Sequence, residues 1–235
     1  MIEITADIFK AKDVETGEYL VDLILDKAKQ KGTGKWTSQS AMDFGVAVPT
    51  IDSAVSMRII SSFKETRRSG EKIFSKPKSI TGDIEVNDIE NALLYGFTMC
   101  YAQGLSQLKI TSKEKKYNLN YEEVCKIWRG GCIIRAKMLE NFMTAFQRKP
   151  DLDNLVFDSG ISQTIKETDY YARKVSVFAI NNKIPSLALN SSISYLDSLS
   201  TEKLPMNLIQ AQRDCFGEHT FERIDMDGTF HNENW

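Results

Sequence analysis

A long α-helix is predicted by Ile89-Glu-Asn-Ala-Leu-Leu-Tyr-Gly-Phe-Thr-Met-Cys-Tyr-Ala-Gln-Gly-Leu-Ser-Gln-Leu108, where apolar residues recur at helical spacing. Gly96 and Gly104 would allow a neighbouring helix to approach closely. The pattern therefore indicates a helix packed among other helices. Its predicted buried stripe comprises Ile89, Leu93, Leu94, Phe97, Tyr101, Leu105 and Leu108.

Further helices are predicted on both sides of this one. Thr50 and Asn120 are predicted N-caps, since short polar side chains satisfy free amides at helix starts. The charged segment from Arg67 to Gly82, which contains Gly70 and Pro77, is predicted to be a surface loop. The predicted helices are an early one with the stripe Tyr19, Leu20, Leu23, Ile24 and Ala28, one from Ile51 to Ser62, and then Tyr121–Trp128, Cys132–Phe146, Ile161–Asn181 and Ser186–Leu199.

The fold class predicted from these patterns is all-α. No run of alternating strands separates the helices, so a doubly wound nucleotide-binding fold is not expected within the chain. Residues 1–200 are predicted to form a large multi-helix domain, and residues 201–235 the end of the C-terminal helix and an extended tail. The polar, aromatic stretch from Gly217 to Trp235 has too little periodic apolar content for its own core, so it should pack on another surface or be disordered.

Composition narrows the function classes. The chain has 235 residues, 42% of them hydrophobic, and a net charge of -2, which gives no reason to expect nucleic acid as a partner. Four cysteines without a CxxC pair and two histidines make a zinc-type cluster unconvincing and predict free, mostly buried thiols. No signal peptide and no uncharged apolar run of about 18 residues is present, so no membrane partner and a cytoplasmic location are expected.

The segment Lys31-Gly-Thr-Gly-Lys-Trp-Thr37 carries the features of an anion site. Two glycines free the backbone, two lysines supply positive charge, and Thr33 and Thr37 supply hydroxyls, which together suit a phosphate-sized anion. The spacing is not that of a P-loop, and the preceding residues are predicted to be helical. The alternative is a helix stop followed by a solvated turn.

Three arginine-containing features are further candidates. Arg213 and His219, at the edge of the helical region, could grip an anion and a sugar hydroxyl, although Arg213 could equally neutralise helix carbonyls. Arg58 falls among apolar residues and would need an anion or a structural ion pair if it were buried. Trp128-Arg-Gly-Gly-Cys-Ile-Ile-Arg135 is interpreted as tight helix packing with paired charges and is given no catalytic role.

Four motifs, in this order, resemble the 6-phosphogluconate dehydrogenase family. They are Lys31–Thr37, Ala102-Gln-Gly-Leu-Ser-Gln107, Trp128–Arg135, and Asn207-Leu-Ile-Gln-Ala-Gln-Arg-Asp214 with Phe216-Gly-Glu-His-Thr220. The resemblance implies a large all-α domain that follows an amino-terminal dinucleotide-binding domain. It also implies an enzyme of the pentose phosphate pathway that oxidises and decarboxylates 6-phosphogluconate to ribulose 5-phosphate, usually with NADP.

The resemblance further implies roles for individual residues. Lys31, Thr33 and Arg58 would bind the substrate phosphate, and Arg213 and His219 would reach into the active site of the other subunit of a homodimer through tail exchange. The family's catalytic lysine, catalytic glutamate and Gly-rich loop would all lie upstream of residue 1, so no catalytic residue is expected here and NADP would be bound mainly by the missing domain. The chain would then be a fragment, inactive alone.

Two alternatives remain at this level. One is a structural helical dimerisation module that has lost ligand binding. The other is a fragment of a related β-hydroxyacid dehydrogenase that acts on a non-phosphorylated acid, which the retained basic residues disfavour.

Overall fold

The computed structural model describes residues 1–75, 77 and 79–235, which are mainly helical with one small two-stranded sheet, and this confirms the all-α class. Two compact units are present, Met1–Tyr195 and Leu196–Trp235. The helices are α1 Ile2–Lys10, α2 Leu20–Leu23, α3 Thr33–Asp43, α4 Pro49–Ser62, α5 Lys64–Ile73, α6 Val86–Lys115, α7 Tyr121–Gly131, α8 Leu139–Arg148, α9 Ser159–Asn181, α10 Leu187–Leu199 and α11 Met206–Gly217, with a 3-10 turn at Leu155–Phe157 and strands β1 Phe221–Glu222 and β2 Thr229–Phe230.

Helix α6 is the central element of the first unit and packs along α9. Of its predicted stripe, Leu105 is buried and Tyr101 and Leu108 are half-buried, but the other four members are exposed, so that prediction was wrong for them. Apolar residues lie on nearly every side of α6, and periodicity alone did not identify the face that meets α9. The apolar side chains that α6 buries are Ala92, Tyr95, Met99, Ala102 and Leu105.

The two predicted close-approach glycines of α6 differ in their surroundings. A Cβ on Gly96 would lie 3.8 Å from the Leu189 side chain of α10, which is ordinary contact. No atom lies within 4 Å of the corresponding position on Gly104. Close helix approach therefore does not explain Gly104.

The early predicted helix is mostly absent. Only Leu20–Leu23 is helical; Ile24 is extended, and residues 25–30 are not helical. Hydrogen bonds with side chains of α4 and α5 hold Asp26, Ala28 and Lys29 in this non-helical path. These tertiary contacts outweigh the local helical pattern.

Two predicted boundaries around α4 and α5 were also wrong. Helix α4 begins at Pro49 with Val48 as its cap, because proline suits the first helical position, and Thr50 instead lies inside the first turn. The predicted loop from Arg67 to Gly82 is helical as far as Ile73. The part of that prediction that falls on Lys76 and Lys78 lies outside the described residues.

Three of the four later helices follow the sequence prediction closely. The Asn120 side chain accepts a hydrogen bond from the amide of Glu123 at 3.1 Å, which confirms it as the N-cap of α7. Gly130 and Gly131 form the last turn of α7, and the helix predicted from Cys132 begins only at Leu139 as α8, so that predicted start was wrong. Predicted helices α9 and α10 begin within two residues of the observed ones.

The cysteines are free, as predicted, but only in part buried. Cys125 is buried, Cys100 and Cys132 are half-buried, and Cys215 is exposed. Burial raises the pKa of the Cys125 thiol to about 12. This thiol is therefore protonated and unreactive near neutral pH.

The second unit contains a more ordered tail than the sequence predicted. Strands β1 and β2 pair antiparallel, with Phe221 opposite Phe230, and the Trp235 ring stands edge-on to Phe221 at 6.2 Å. The buried carboxylate of Asp214 accepts hydrogen bonds from the tail. A polar centre thus replaces the apolar core that the tail lacks.

Within the described ranges, no helix combines the length and apolarity that crossing a membrane requires.

Candidate functional site

The start of α3 is shaped by two glycines. Gly32 caps the helix with φ 111°, a conformation that favours glycine, and its carbonyl accepts the first helical hydrogen bond from the Trp36 amide at 2.9 Å. A Cβ on Gly34 would lie 2.9 Å from Cγ2 of Val55, so α3 meets α4 without room for a side chain. The helix therefore begins between the two glycines, whereas the residues just before Gly32, which were predicted to be helical, are not.

Lys31 and Thr33 stand at this helix start, and both are exposed. The first amides of an α-helix have no intrahelical acceptor, and they form a partly positive end that attracts anions. The Thr37 hydroxyl donates to the Thr33 carbonyl at 2.9 Å, so it is engaged within the helix. Lys31, the Thr33 hydroxyl and the free amides are the groups that this turn offers to an anion.

Arg58 lies beside the same turn. It is exposed, and its Nη2 donates to the carbonyl of Lys29, two residues before Lys31. Ser61, one turn further along α4, accepts from the Ala28 amide at 2.9 Å. Among the residues whose structure is described, no carboxylate pairs with Arg58, which leaves the structural ion-pair interpretation without support. The structure thus brings Arg58 to the backbone two residues before Lys31.

Asp26 fastens the residues before the turn to α5. Lys64 Nζ lies 2.6 Å from one carboxylate oxygen and Arg67 Nη1 lies 2.8 Å from the other. These bonds, the Arg67 bond first, hold the pKa of Asp26 well below its usual value, and the same pair raises the pKa of Arg67. Sequence reasoning missed this clamp because it assigned Arg67 to a loop.

Two glutamines of α6 hold the helices that carry the basic residues. The buried Gln103 accepts from the Thr50 amide at 2.9 Å and donates to the Thr50 hydroxyl at 2.8 Å, which fastens α4. Gln107 donates to the carbonyl of Thr37 at 3.0 Å, which fastens α3. Both belong to the 102–107 motif. Their four-residue spacing on an apolar helix was the signal that could have identified them as polar anchors.

The second unit contains the other two candidates. Arg213 is exposed in α11, and its Nη1 donates to the Gln210 side chain at 3.3 Å. His219 follows α11, is exposed, and packs edge-on against Phe216 with ring centroids 6.0 Å apart. A Cβ on Gly217 would lie 2.9 Å from the imidazole, so glycine leaves the space that this ring position needs.

Asp214, next to Arg213, was not singled out by the sequence and is fully buried. Burial would raise the pKa of its carboxyl group, but hydrogen bonds from His231, the Asn232 amide, the Trp235 indole and the Thr220 amide outweigh it, and the net pKa lies well below the usual range. The same pair raises the pKa of His231, with the Asp214 hydrogen bond as the main cause.

Comparison with known proteins covers the whole chain. The family model described as 6-phosphogluconate dehydrogenase, C-terminal domain, matches residues 1–235. The chain is 47% identical to the NADP(+)-dependent, decarboxylating 6-phosphogluconate dehydrogenase of Bacillus subtilis over 99% of its length, and 44% identical to the decarboxylating enzyme of Escherichia coli.

A solved structure shares the fold. The 6-phosphogluconate dehydrogenase of Plasmodium falciparum, studied in its apo form and with its cofactor NADP+ and its substrate 6-phosphogluconate, superposes with a TM-score of 0.95 at 42% identity over 99% of this chain and 51% of that one. The chain likewise spans about half the length of the curated relatives, 50% of both the Bacillus subtilis and the Escherichia coli enzymes. On this evidence the chain belongs to the C-terminal domain family of the 6-phosphogluconate dehydrogenases.

Proposed function

We propose that these 235 residues supply substrate-phosphate binding and dimerisation to a decarboxylating 6-phosphogluconate dehydrogenase. The reaction is the oxidation and decarboxylation of 6-phosphogluconate to ribulose 5-phosphate with reduction of NADP, a cytoplasmic step of the pentose phosphate pathway. The proposal rests chiefly on one observation, the placement of Arg58 beside the Lys31–Thr33 turn in a chain of this family.

The chemistry of the turn suits a phosphate dianion. Lys31 and Arg58 supply positive charge, the Thr33 hydroxyl supplies a donor, and the first amides of α3 add partial positive charge. The phosphate is remote from the bonds that change, so its capture does not itself accelerate the chemistry. Instead, binding energy gained there orients the sugar acid for oxidation.

Arg213 and His219 are proposed to act on the active site of a partner subunit. Both side chains are exposed, and neither has a carboxylate partner among the described residues. The proposal is a homodimer with tail exchange, in which each tail adds a guanidinium and an imidazole to its partner's bound substrate. A guanidinium can hold a phosphate or carboxylate through two parallel hydrogen bonds, and an imidazole can donate to a sugar hydroxyl.

NADP binding is not proposed for this chain itself. The part of the chain that the structure describes contains one two-stranded antiparallel sheet and no doubly wound parallel sheet, the fold in which a dinucleotide rests on a helix start after a strand. The residues present therefore do not fit the nucleotide. Cofactor binding is assigned mainly to the amino-terminal domain of the whole enzyme and the catalytic acid and base to residues outside these 235, so the isolated chain is expected to be inactive.

A calorimetric titration tests the phosphate site. The chain should bind 6-phosphogluconate saturably and gluconate at least about tenfold more weakly, because only the former carries the phosphate. Lys31→Ala and Arg58→Ala should each weaken binding of 6-phosphogluconate. Lys126→Ala, which removes an exposed lysine from α7, is the matched control.

The same titration distinguishes this function from the two alternatives. Equal affinity for gluconate would favour a related dehydrogenase of non-phosphorylated acids. A folded dimer that binds neither compound would favour a structural dimerisation module, and a monomer by light scattering would contradict the proposed tail exchange.

A further inference from the structure

We infer that Asp214 and Gln210 are positioning residues, which hold Arg213 and His219 in the arrangement needed to reach the substrate. The inference deepens the function proposed above and rests on it for the roles of Arg213 and His219. Neither Asp214 nor Gln210 is assigned a contact with substrate.

Both carboxylate oxygens of Asp214 already accept hydrogen bonds within the chain, so neither is available to bind a ligand. Its Oδ1 accepts from the Thr220 amide at 2.8 Å and from His231 Nδ1 at 2.9 Å. Its Oδ2 accepts from the Asn232 amide at 3.0 Å and from Trp235 Nε1 at 2.8 Å. With no exposed surface and two donors on each oxygen, the carboxylate is committed to the chain's own groups.

The two positioning residues together grip Thr220 by both of its backbone groups. Asp214 accepts from the Thr220 amide, and Gln210 Nε2 donates to the Thr220 carbonyl. His219 is therefore attached to a residue that α11 holds at two points. The Gln210 side chain also accepts from Arg213 Nη1 through its oxygen, so one amide group links the guanidinium to the same segment.

The backbone beside His219 needs such a restraint. Glu218 and Thr220, on either side of it, have φ values of 51° and 59°, in the left-handed region that non-glycine residues rarely occupy. Conformations of this kind persist when surrounding contacts determine them, and they are common at functional sites. Without the bonds to Thr220 the segment would relax, and the imidazole would lose its fixed direction relative to Arg213.

Hydrogen exchange tests the restraint without any ligand. In Asp214→Asn, one acceptor oxygen is replaced by an amide that donates, so exchange of the Thr220 and Asn232 amides should accelerate at least about tenfold. Asp225→Asn is the control, since Asp225 is an exposed carboxylate of the same unit that pairs with Arg223. Unchanged protection of both amides in Asp214→Asn would overturn the inference.

Ligand binding tests the positioning role. Asp214→Asn should weaken 6-phosphogluconate binding, but it should weaken it no further in a chain that already carries Arg213→Ala and His219→Ala, because Asp214 acts only through those side chains. An additional loss in that background would indicate a general structural role and contradict the inference.

A second variant, Gln210→Leu, tests the inference if Asp214→Asn does not fold. Gln210→Leu keeps the Asp214 bonds but releases Arg213 and the Thr220 carbonyl, and it should weaken binding in the same non-additive way. Wild-type affinity in Gln210→Leu would contradict its positioning role. If the wild-type chain itself binds no 6-phosphogluconate, the proposed function fails, while the exchange experiment still decides whether Asp214 restrains the segment.

Discussion

Gln103 of α6 and Thr50 of α4 exchange two hydrogen bonds in a buried position, one with the Thr50 amide and one with its hydroxyl. This pair fixes the start of α4, the helix that carries Arg58 about two turns later. Gln107, one turn further along α6, fixes α3 in the same manner through the Thr37 carbonyl. The polar residues of one motif thus hold both helices of the candidate phosphate site on the central helix.

Replacement of Gln103 should therefore destabilise the chain and loosen the site. Gln103→Leu preserves most of the volume but leaves the Thr50 amide buried without an acceptor, which should lower the free energy of unfolding by about 2 kcal/mol. Chemical denaturation measures this change. Gln163→Leu, on the exposed side of α9, should change the same quantity by less than about 0.5 kcal/mol. Equal effects of the two variants would show that the buried pair contributes nothing specific.

Gly34→Ala tests the contact between α3 and α4. The added methyl would lie 2.9 Å from Val55 Cγ2, so the helices must separate, at a cost of about 1–3 kcal/mol that exceeds the gain in helix propensity of up to about 1 kcal/mol. Phosphate-ligand affinity should fall as well, since Lys31 moves relative to Arg58. Val55→Ala in the same chain should restore both properties.

Gly104→Ala is the matched control for that substitution. It places the same methyl in open space within α6, where it should stabilise the chain by about 0.5–1 kcal/mol. A stabilising Gly34→Ala would mean that the α3–α4 contact yields easily, and the close approach would then have no role in the site.

Several of the later helices were predictable because their signals are local. Asn120 caps α7 as its side chain predicted, and α9 and α10 follow from apolar residues at helical spacing. The buried face of α6 was not predictable in this way, because small residues such as Ala92 and Ala102 are buried while larger apolar residues remain exposed. Which face is covered depends on partners distant in sequence.

In the candidate site too, some residues were predictable from the local sequence and others were not. The 31–37 segment and Arg58 were predicted from residue type and resemblance, and Arg58 donates to the carbonyl of Lys29, two residues before that segment. Asp214 was missed because an aspartate near a helix end usually faces solvent, and its burial depends on donors up to twenty-one residues away, at Trp235. Long-range polar anchors of this kind leave no periodic trace in the sequence.

The C-terminal tail should lose order both when the pH is lowered and when it is raised. The pKa of Asp214 is lowered, so its stabilising contribution is present above its unfolded value of about 3.9 and is lost as pH falls through the folded value. The pKa of His231 is raised, so its contribution is present below about 6.5 and is lost as pH rises through the folded value. Glu218 and Glu233 add to the rise at His231.

The indole N–H resonance of Trp235 reports this order, because it donates to the Asp214 carboxylate. The resonance should keep its hydrogen-bonded chemical shift at pH values between the folded-state pKa of Asp214 and that of His231. It should move towards the shift of a free indole below the first and above the second. His231→Gln should abolish the alkaline change and leave the acid change. A single acid transition in the wild-type chain would show that the His231 pair does not contribute to tail order.

Arg58→Lys asks whether positive charge alone is enough at the phosphate site. One nitrogen of the Arg58 guanidinium donates to the Lys29 carbonyl, and its other N–H groups remain as donors for a phosphate. A lysine ammonium is a compact charge that cannot reach both groups with the same geometry. Arg58→Lys should therefore weaken 6-phosphogluconate binding by about tenfold, or about 1.4 kcal/mol, measured by calorimetry.

Arg129→Lys is the control for this charge-preserving change, since Arg129 pairs with Glu140 on the exposed surface of α7 and α8. It should leave the affinity unchanged. If Arg58→Lys binds as tightly as the wild-type chain while Arg58→Ala does not, the site recognises a point charge, and the hydrogen bond to Lys29 has no part in substrate capture. Loss of affinity in both variants would show that the shape of the guanidinium, held against the turn by the Lys29 carbonyl, is what selects the phosphate.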